Sequence, residues 1–329
     1  MAVRISPLWW PLWALSSPVV ATKMLRHAPV FRGNCMQARA LNTQRIDSAL
    51  RLDLPELDFL ELTVLVDEKT RDGFRGDPGV SYLIETDRGV VLFDVGFGPD
   101  SPTLAHNLAK LDKPLSRVES VVISHLHPDH MGGLTAYRER TVRIPPELSE
   151  LRDRICYLPD EARAPDFRGE VVREPRMVGA GIATTGPLAR SMYFHGICEE
   201  QVLLARLRNR GLVVITGCGH PTVQVILEMV RHLADEPVFA LAGGLHFPLT
   251  ESRVKRRGLQ VQMFMGTGKP PWRKIRDEDL TQAIACINTA GIRQVLISGH
   301  DSCDHAIERM SRELDAETSV LAAGGTYRL

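Results

Sequence analysis

The sequence predicts an α/β fold. Strand-like runs come first and alternate with helical runs later, and four apolar runs end in segments that carry histidine. This order suits two mixed sheets packed face to face with helices outside. It suits a single doubly wound sheet equally, because both give the same succession of periodicities.

Regular patterning begins near residue 57. Residues 60–66 and 80–85 read as strands on either side of a polar, glycine-bearing loop. Residues 90–95 form a third strand, one turn after the second. Residues 101–111 have helical spacing, with Leu104, Leu108 and Leu111 on one side. Residues 118–124 are an apolar run that ends in a histidine-rich segment. Residues 141–195 show little periodicity and are expected to be loops with short strands. Residues 201–207 and 212–216 flank a turn as a hairpin. Residues 222–233 form an amphipathic helix through Val223, Ile226, Leu227, Val230 and Leu233. Strands at 238–242 and 294–298 then alternate with helices at 279–290 and 304–314, and 319–329 closes as a strand.

Composition narrows the partners. Lys+Arg and Asp+Glu are equal at 40 each, so there is no general attraction to nucleic acid or an anionic membrane. The expected partner is a small-molecule substrate, and no oligomeric state is implied. The six cysteines are scattered without a CxxC pair, which favours a reducing compartment and a cytoplasmic location. Residues 1–46 differ, having basic residues but no Asp or Glu. Their apolar stretch, residues 7–21, is shorter than the ~20 residues of a membrane span. Pro7, Pro11 and Pro18 also disfavour a helix through it. Residues 1–56 are therefore expected to be an extension, either disordered or a signal, transit or membrane-associating segment. Any membrane contact would run through it, and residues 57–329 would form the domain.

The chemistry concentrates in Ser124-His125-Leu126-His127-Pro128-Asp129-His130. Imidazole nitrogens and carboxylate oxygens are good ligands for Zn²⁺ and related ions. On extended chain His125 and His127 point the same way, and Asp129 and His130 follow a proline that begins a new turn. Packed this closely, these groups would be poorly satisfied without a cation. Three later strand ends have the same character: ITGCGH to His220, LAGGLH to His246, and ISGH to His300. His220 and His300 are expected ligands. For His246 a ligand role and a substrate or supporting contact both stand. Asp94, at the end of another strand, is expected to hydrogen-bond a ligating imidazole.

HLHPDH followed by Gly132-Gly133 resembles the HxHxDH motif of the metallo-β-lactamase superfamily, and Phe93-Asp94-Val95-Gly96 resembles its upstream Asp motif. Residues 81–86, Thr185-Gly186-Pro187 running to Arg190, ITGCGH, GGLH and SGH resemble one branch. That branch contains archaeal synthases of a ribofuranosylaminobenzene-phosphate dihydropterin and bacterial relatives. The resemblance spans residues 60–329 and implies an αββα sandwich with one or two metal ions at one sheet edge. It implies His125, His127 and His220 for a first ion, and Asp129, His130 and His300 for a second. The chain departs from the pattern at Cys218, where many members have a bridging Asp. A thiolate ligand and a small buried residue are both open there. The expected ion is zinc, with iron or manganese as alternatives.

The implied function is metal-dependent hydrolysis of an ester, lactone, amide or phosphoester by metal-activated hydroxide, with Asp129 as the catalytic carboxylate. A synthase-type transfer, iron redox chemistry and non-enzymatic metal binding are the competing readings. Loops 67–79, 141–195 and 251–278 would wall the pocket. The basic residues Arg253, Lys255, Arg256, Arg257, Lys269, Arg273 and Lys274 are expected to form a solvated loop face rather than a substrate contact.

Overall fold

Alternation along each strand sends one set of side chains between two sheets and the other set outward under helices. The computed structural model of the protein describes residues 10–251, 255, 256, 259, 260 and 266–329. Its seven-stranded sheet runs in the order β17 (Thr326–Arg328), β2 (Leu60–Val66), β3 (Ser81–Thr86), β4 (Gly89–Phe93), β5 (Val118–Val122), β6 (Ile155–Leu158) and β7 (Arg168–Val171). The eight-stranded sheet runs β16 (Glu317–Val320), β15 (Gln294–Ile297), β12 (Val238–Gly243), β11 (Gly211–Thr216), β10 (Gly196–Leu207), β9 (Ile182–Met192) and β8 (Arg176–Gly179), with β1 (Glu56–Leu57) beside β10. A small separate ladder pairs β13 (Lys255–Arg256) with β14 (Leu259–Gln260).

Three apolar layers follow. Val64, Tyr82, Phe93, Leu203, Val213 and Ala240 fill the space between the sheets. Helix α2 (Thr103–Leu111) covers the outer face of the first sheet, placing Leu104 and Leu108 with Val121 and Ile123. Outside the second sheet, the helix Val223–Leu233 packs Ile226, Leu227 and Val230 with Leu280 and Ile284 of the helix Asp277–Thr289. The architecture is thus two mixed sheets flanked by helices, not one doubly wound sheet. Strands β11, β12, β15 and β16 pair in parallel, as do β4 to β7. Parallel strands bring their C-terminal ends to one edge, which is where the histidine segments lie.

Two regions depart from the sequence expectations. Within 141–195 the structure places the eleven-residue strand β9, paired to β10 from Gly196↔Met192 to Leu204↔Ala183. Its residues are buried on nearly every position, so it shows no alternation, and Gly186 and Pro187 inside it read as turn signals. The second region is the N-terminal segment, where residues Trp10–Ser48 form helix α1 although Pro18 and Pro29 lie inside it. Tertiary contact overrides propensity here. Asn42 donates from Nδ2 to the Ala189 carbonyl (2.9 Å) and accepts the Ala189 N–H at Oδ1 (2.7 Å). Arg45 donates to the Pro187 carbonyl (3.0 Å) and pairs with Glu199. β8 pairs with β9 only at residues 182–184, and helix α1 satisfies the stretch of β9 beyond it. Replacing Asn42 with Ala orphans two buried backbone groups and is expected to lower unfolding free energy by about 1–3 kcal/mol, read from the denaturant midpoint. An unchanged midpoint would show that α1 docking adds nothing to stability. Among the described residues, no helix is long and apolar enough to cross a membrane.

Candidate metal centre

Six chain segments meet where the strands end. Asp94 follows β4, and Ser124, His125 and His127 follow β5. The short helix Pro128–Met131 turns Asp129 and His130 inward. Cys218 and His220 follow β11, His246 follows β12, and His300 and Asp301 follow β15. Backbone hydrogen bonds tie the last three strand ends together, from Gly244 N–H to Gly217 O (3.1 Å) and from Ser298 N–H to Gly243 O (3.1 Å). Gly219 has a φ of +77°, and a Cβ there would sit 2.5 Å from the Gly244 carbonyl oxygen. Glycine at this position lets the two loops approach.

The side chains converge. His125 Nε2 and His127 Nδ1 lie 2.9 Å apart. The His220 ring centre is 4.8 Å from that of His125 and 5.0 Å from that of His127. Beside them, His130 Nε2 lies 3.2 Å from His300 Nε2, and Cys218 Sγ is 3.1 Å from each of these nitrogens. Asp129 Oδ2 is 3.5 Å from His300 Nε2, and Asp301 Oδ2 is 3.6 Å from it. Ligand atoms within 4.8 Å of one another define the groups His125–His127–His220, His125–His130–Cys218, Cys218–His220–His246, Asp129–His130–His300 and Cys218–His300–Asp301. All six histidines singled out in the sequence therefore stand in one cluster. His246 lies on its outer side, with its ring centre 4.6 Å from that of His220.

The donor set fits a divalent ion. Both ring nitrogens of His220 and Nδ1 of His300 are buried without a hydrogen-bond partner. Proteins rarely leave such groups unmatched. Burial, reinforced by the neighbouring imidazoles, pushes His125, His130 and His220 well below their ordinary range and His127 down to about 3. The rings are therefore neutral and offer electron pairs. Burial raises the Cys218 thiol, which would act as a ligand only after losing its proton to a bound cation. Nitrogen, sulfur and oxygen donors together suit a divalent transition-type ion, zinc or iron among them.

Three buried carboxylates hold the donor loops from behind. Asp94 accepts the Ser124 N–H at Oδ1 (2.6 Å) and the Ser124 hydroxyl at Oδ2 (2.7 Å), and its Oδ2 lies 2.6 Å from His130 Nδ1. That contact turns His130 Nε2 toward the cluster, as a supporting carboxylate does for a ligating imidazole. Glu200 accepts three backbone N–H groups: Cys218 (3.0 Å) and Gly219 (2.8 Å) at Oε1, and His220 (2.7 Å) at Oε2. Asp67 accepts the Gly299 N–H (3.1 Å) at Oδ1 and the Ser298 hydroxyl (2.5 Å) at Oδ2. Sequence reasoning found Asp94 and missed Glu200, Asp67 and Asp301. Glu200 stands beside Glu199 and Gln201 ahead of the apolar run 202–205, which marks a strand but not a role at the site; Asp67 and Asp301 had no signal beyond adjacency to a strand end.

Of the expected basic loop face, Lys269 pairs with Asp279 (2.5 Å). Arg253 and Arg257 lie outside the described residues. Arg190, read only as part of a sequence signature, instead lines a pocket beside His220 and His246.

Known proteins resemble the chain at three levels. The sequence model of the metallo-beta-lactamase superfamily matches residues 74–230. A 7,8-dihydropterin-6-methyl-4-(beta-D-ribofuranosyl)-aminobenzene-5'-phosphate synthase of Methanocaldococcus jannaschii is 22% identical over 237 residues, covering 59% of this chain and 80% of that protein. A crystal structure titled as a metal-dependent hydrolase of the beta-lactamase superfamily superposes with a TM-score of 0.57 at 22% identity, over 82% of this chain and 98% of its own. The metallo-beta-lactamase fold protein YhfI from Bacillus subtilis superposes with a TM-score of 0.51 at 13% identity, over 83% and 100% of the two chains. These structural matches establish the fold.

Proposed function

Because the metallo-β-lactamase superfamily model matches residues 74–230 and the fold is that of a superfamily hydrolase, we propose that this chain is a member and a metal-dependent hydrolase acting on an ester, lactone, amide or phosphoester. One observation carries the reading: a buried cluster of imidazoles in which His220 has no hydrogen-bond partner for either nitrogen. His125, His127 and His220 would hold one ion. Asp129, His130 and His300 would hold a second. Cys218 belongs to three of the five donor groups, so its thiolate would be a further ligand for an ion held there.

A bound divalent ion supplies Lewis acidity, polarising a carbonyl or phosphoryl oxygen and acidifying water. The chain's own groups do the rest. Asp129 is half-buried, and burial pushes its carboxyl up to about 6. A carboxyl in that range can take a proton and return it at neutral pH. Asp94 fixes the His130 ring, and Glu200 fixes the 218–220 turn, so the donor atoms need not reorganise when substrate arrives. The face formed by His220 and His246 opens into a pocket of about 410 Å³ that would receive the substrate. The methanogen relative keeps a second reading in view, a synthase-type transfer; product that forms only with a pterin would select it.

Stripping metal with a chelator is expected to abolish hydrolysis of a responsive ester, lactone or phosphodiester and to lower the melting temperature. An ion present at a thousand times its Kd stabilises by about 4 kcal/mol, and Zn²⁺ should restore both properties. Identical melting curves and activity before and after chelation would contradict the proposal.

A further inference from the structure

The pocket beside His220 and His246 carries a charge imbalance that the metal-centred reading does not use. Its charged lining is Arg39 of α1, Arg190 near the end of β9, and the pair Lys269–Asp279. The pair neutralises itself. Arg39 and Arg190 have no ion-pair partner among the described residues, and the Nε atom of Arg190 is buried without an acceptor. The two guanidinium groups lie close enough to repel each other; burial is the main effect holding Arg190 below its ordinary pKa, opposed by Cys35, with the Arg39 charge adding a smaller lowering effect and Asp279 a still smaller raising one. A segment Gly266-Thr267-Gly268 crosses this wall. A Cβ on Gly266 would strike the His246 ring, and a Cβ on Gly268, whose φ is +62°, would strike the Arg190 guanidinium. The chain passes at contact distance over both ends of the pocket only because these two residues lack side chains.

Two adjacent, uncompensated guanidiniums facing a pocket are matched by an oxyanion, which the planar N–H fork of arginine accepts in two hydrogen bonds. We propose that Arg190 and Arg39 form a binding site for the anionic group of the substrate, a phosphate or a carboxylate, and that α1 is thereby part of the substrate pocket. The proposal builds on the hydrolase reading for what happens at the histidine end of the pocket. Anion binding itself requires no metal and can be tested without it.

The test uses the full chain, chelated and metal-loaded, titrated with inorganic phosphate and separately with acetate by calorimetry and thermal shift. Phosphate, acetate or both should bind saturably to the chelated protein. Arg190→Gln should weaken that binding by roughly tenfold or more, the effect of losing a charge-assisted contact, and Arg190→Lys should restore part of it. Arg39 is exposed and its replacement does not threaten folding, so Arg39→Gln should fold normally and weaken binding severalfold. Arg208, a surface residue paired with Asp58 elsewhere, serves as control, and Arg208→Gln should change nothing. Which anion responds identifies the group. Binding that appears only in metal-loaded protein and is indifferent to both arginines would overturn the proposal, as would no binding of either anion. Arginine-dependent anion binding in a protein that takes up no metal would leave this site standing and remove the hydrolase reading.

Discussion

Replacing His127 with Ala is expected to lower kcat/KM about 10³-fold or more, roughly 4 kcal/mol of transition-state stabilisation, together with loss of bound metal. His127 suits this test because it is half-buried and its ring is neutral, so alanine there removes a donor without opening a deep core cavity. Its Nδ1 lies 2.9 Å from His125 Nε2, a contact between two imidazoles that gains most from an ion shared between them. Metal content by elemental analysis, melting temperature and kcat/KM on a responsive substrate should be read together. A variant that folds, lacks metal and lacks activity fits the account. A variant with full activity refutes it.

Replacing Glu200 with Ala is expected to be the most damaging change outside the proposed ligands. The side chain is fully buried, and its two oxygens accept the N–H groups of Cys218, Gly219 and His220. Without them three buried donors lose their acceptor at about 1–3 kcal/mol each, so a loss of at least about 3 kcal/mol is expected. The 218–220 turn would also loosen, weakening zinc binding by tenfold or more, the usual scale for a supporting group. Glu200→Gln preserves shape but turns an NH₂ group toward one N–H, and should fall between. Glu199 is the control, since it is partly exposed and pairs with Arg45; Glu199→Gln should cost less than about 1 kcal/mol. Wild-type denaturant midpoint and zinc affinity in Glu200→Ala would show that the turn is held by other means.

The contrast between His220 and Glu200 shows what a sequence can reveal. His125, His127, Asp129 and His130 stand within six residues, so local geometry alone suggests a cation. His220, His246 and His300 each end a strand with glycine before them, and parallel pairing of β11, β12 and β15 brings such ends together. Their clustering was legible because strand ends are predictable from periodicity. Glu200 sits inside β10, 18 to 20 residues before the amides it accepts, and only the hairpin register brings it under them. Asp67 reaches the 298–300 turn from 231 residues away, across the two sheets. Contacts of that kind depend on how the sheets stack, which a single sequence does not encode as a pattern. The same holds for β9 and α1. Burial on both faces erased the alternation of β9, and the contacts that hold α1, such as Asn42 with Ala189, span 147 residues. Arg190 was visible as part of a signature, but its role as a pocket wall depends on that docking.

Anomalous diffraction from crystals of zinc-loaded protein, recorded on either side of the zinc absorption edge, would locate the ion among these side chains. A peak is expected about 2.0–2.1 Å from nitrogens of His125, His127 and His220. Where a second ion binds, a further peak should lie against His130 and His300, about 2.3 Å from Cys218 Sγ if the thiolate ligates. Zinc bound elsewhere on the chain, or no peak among these imidazoles after loading, would contradict the proposed metal centre.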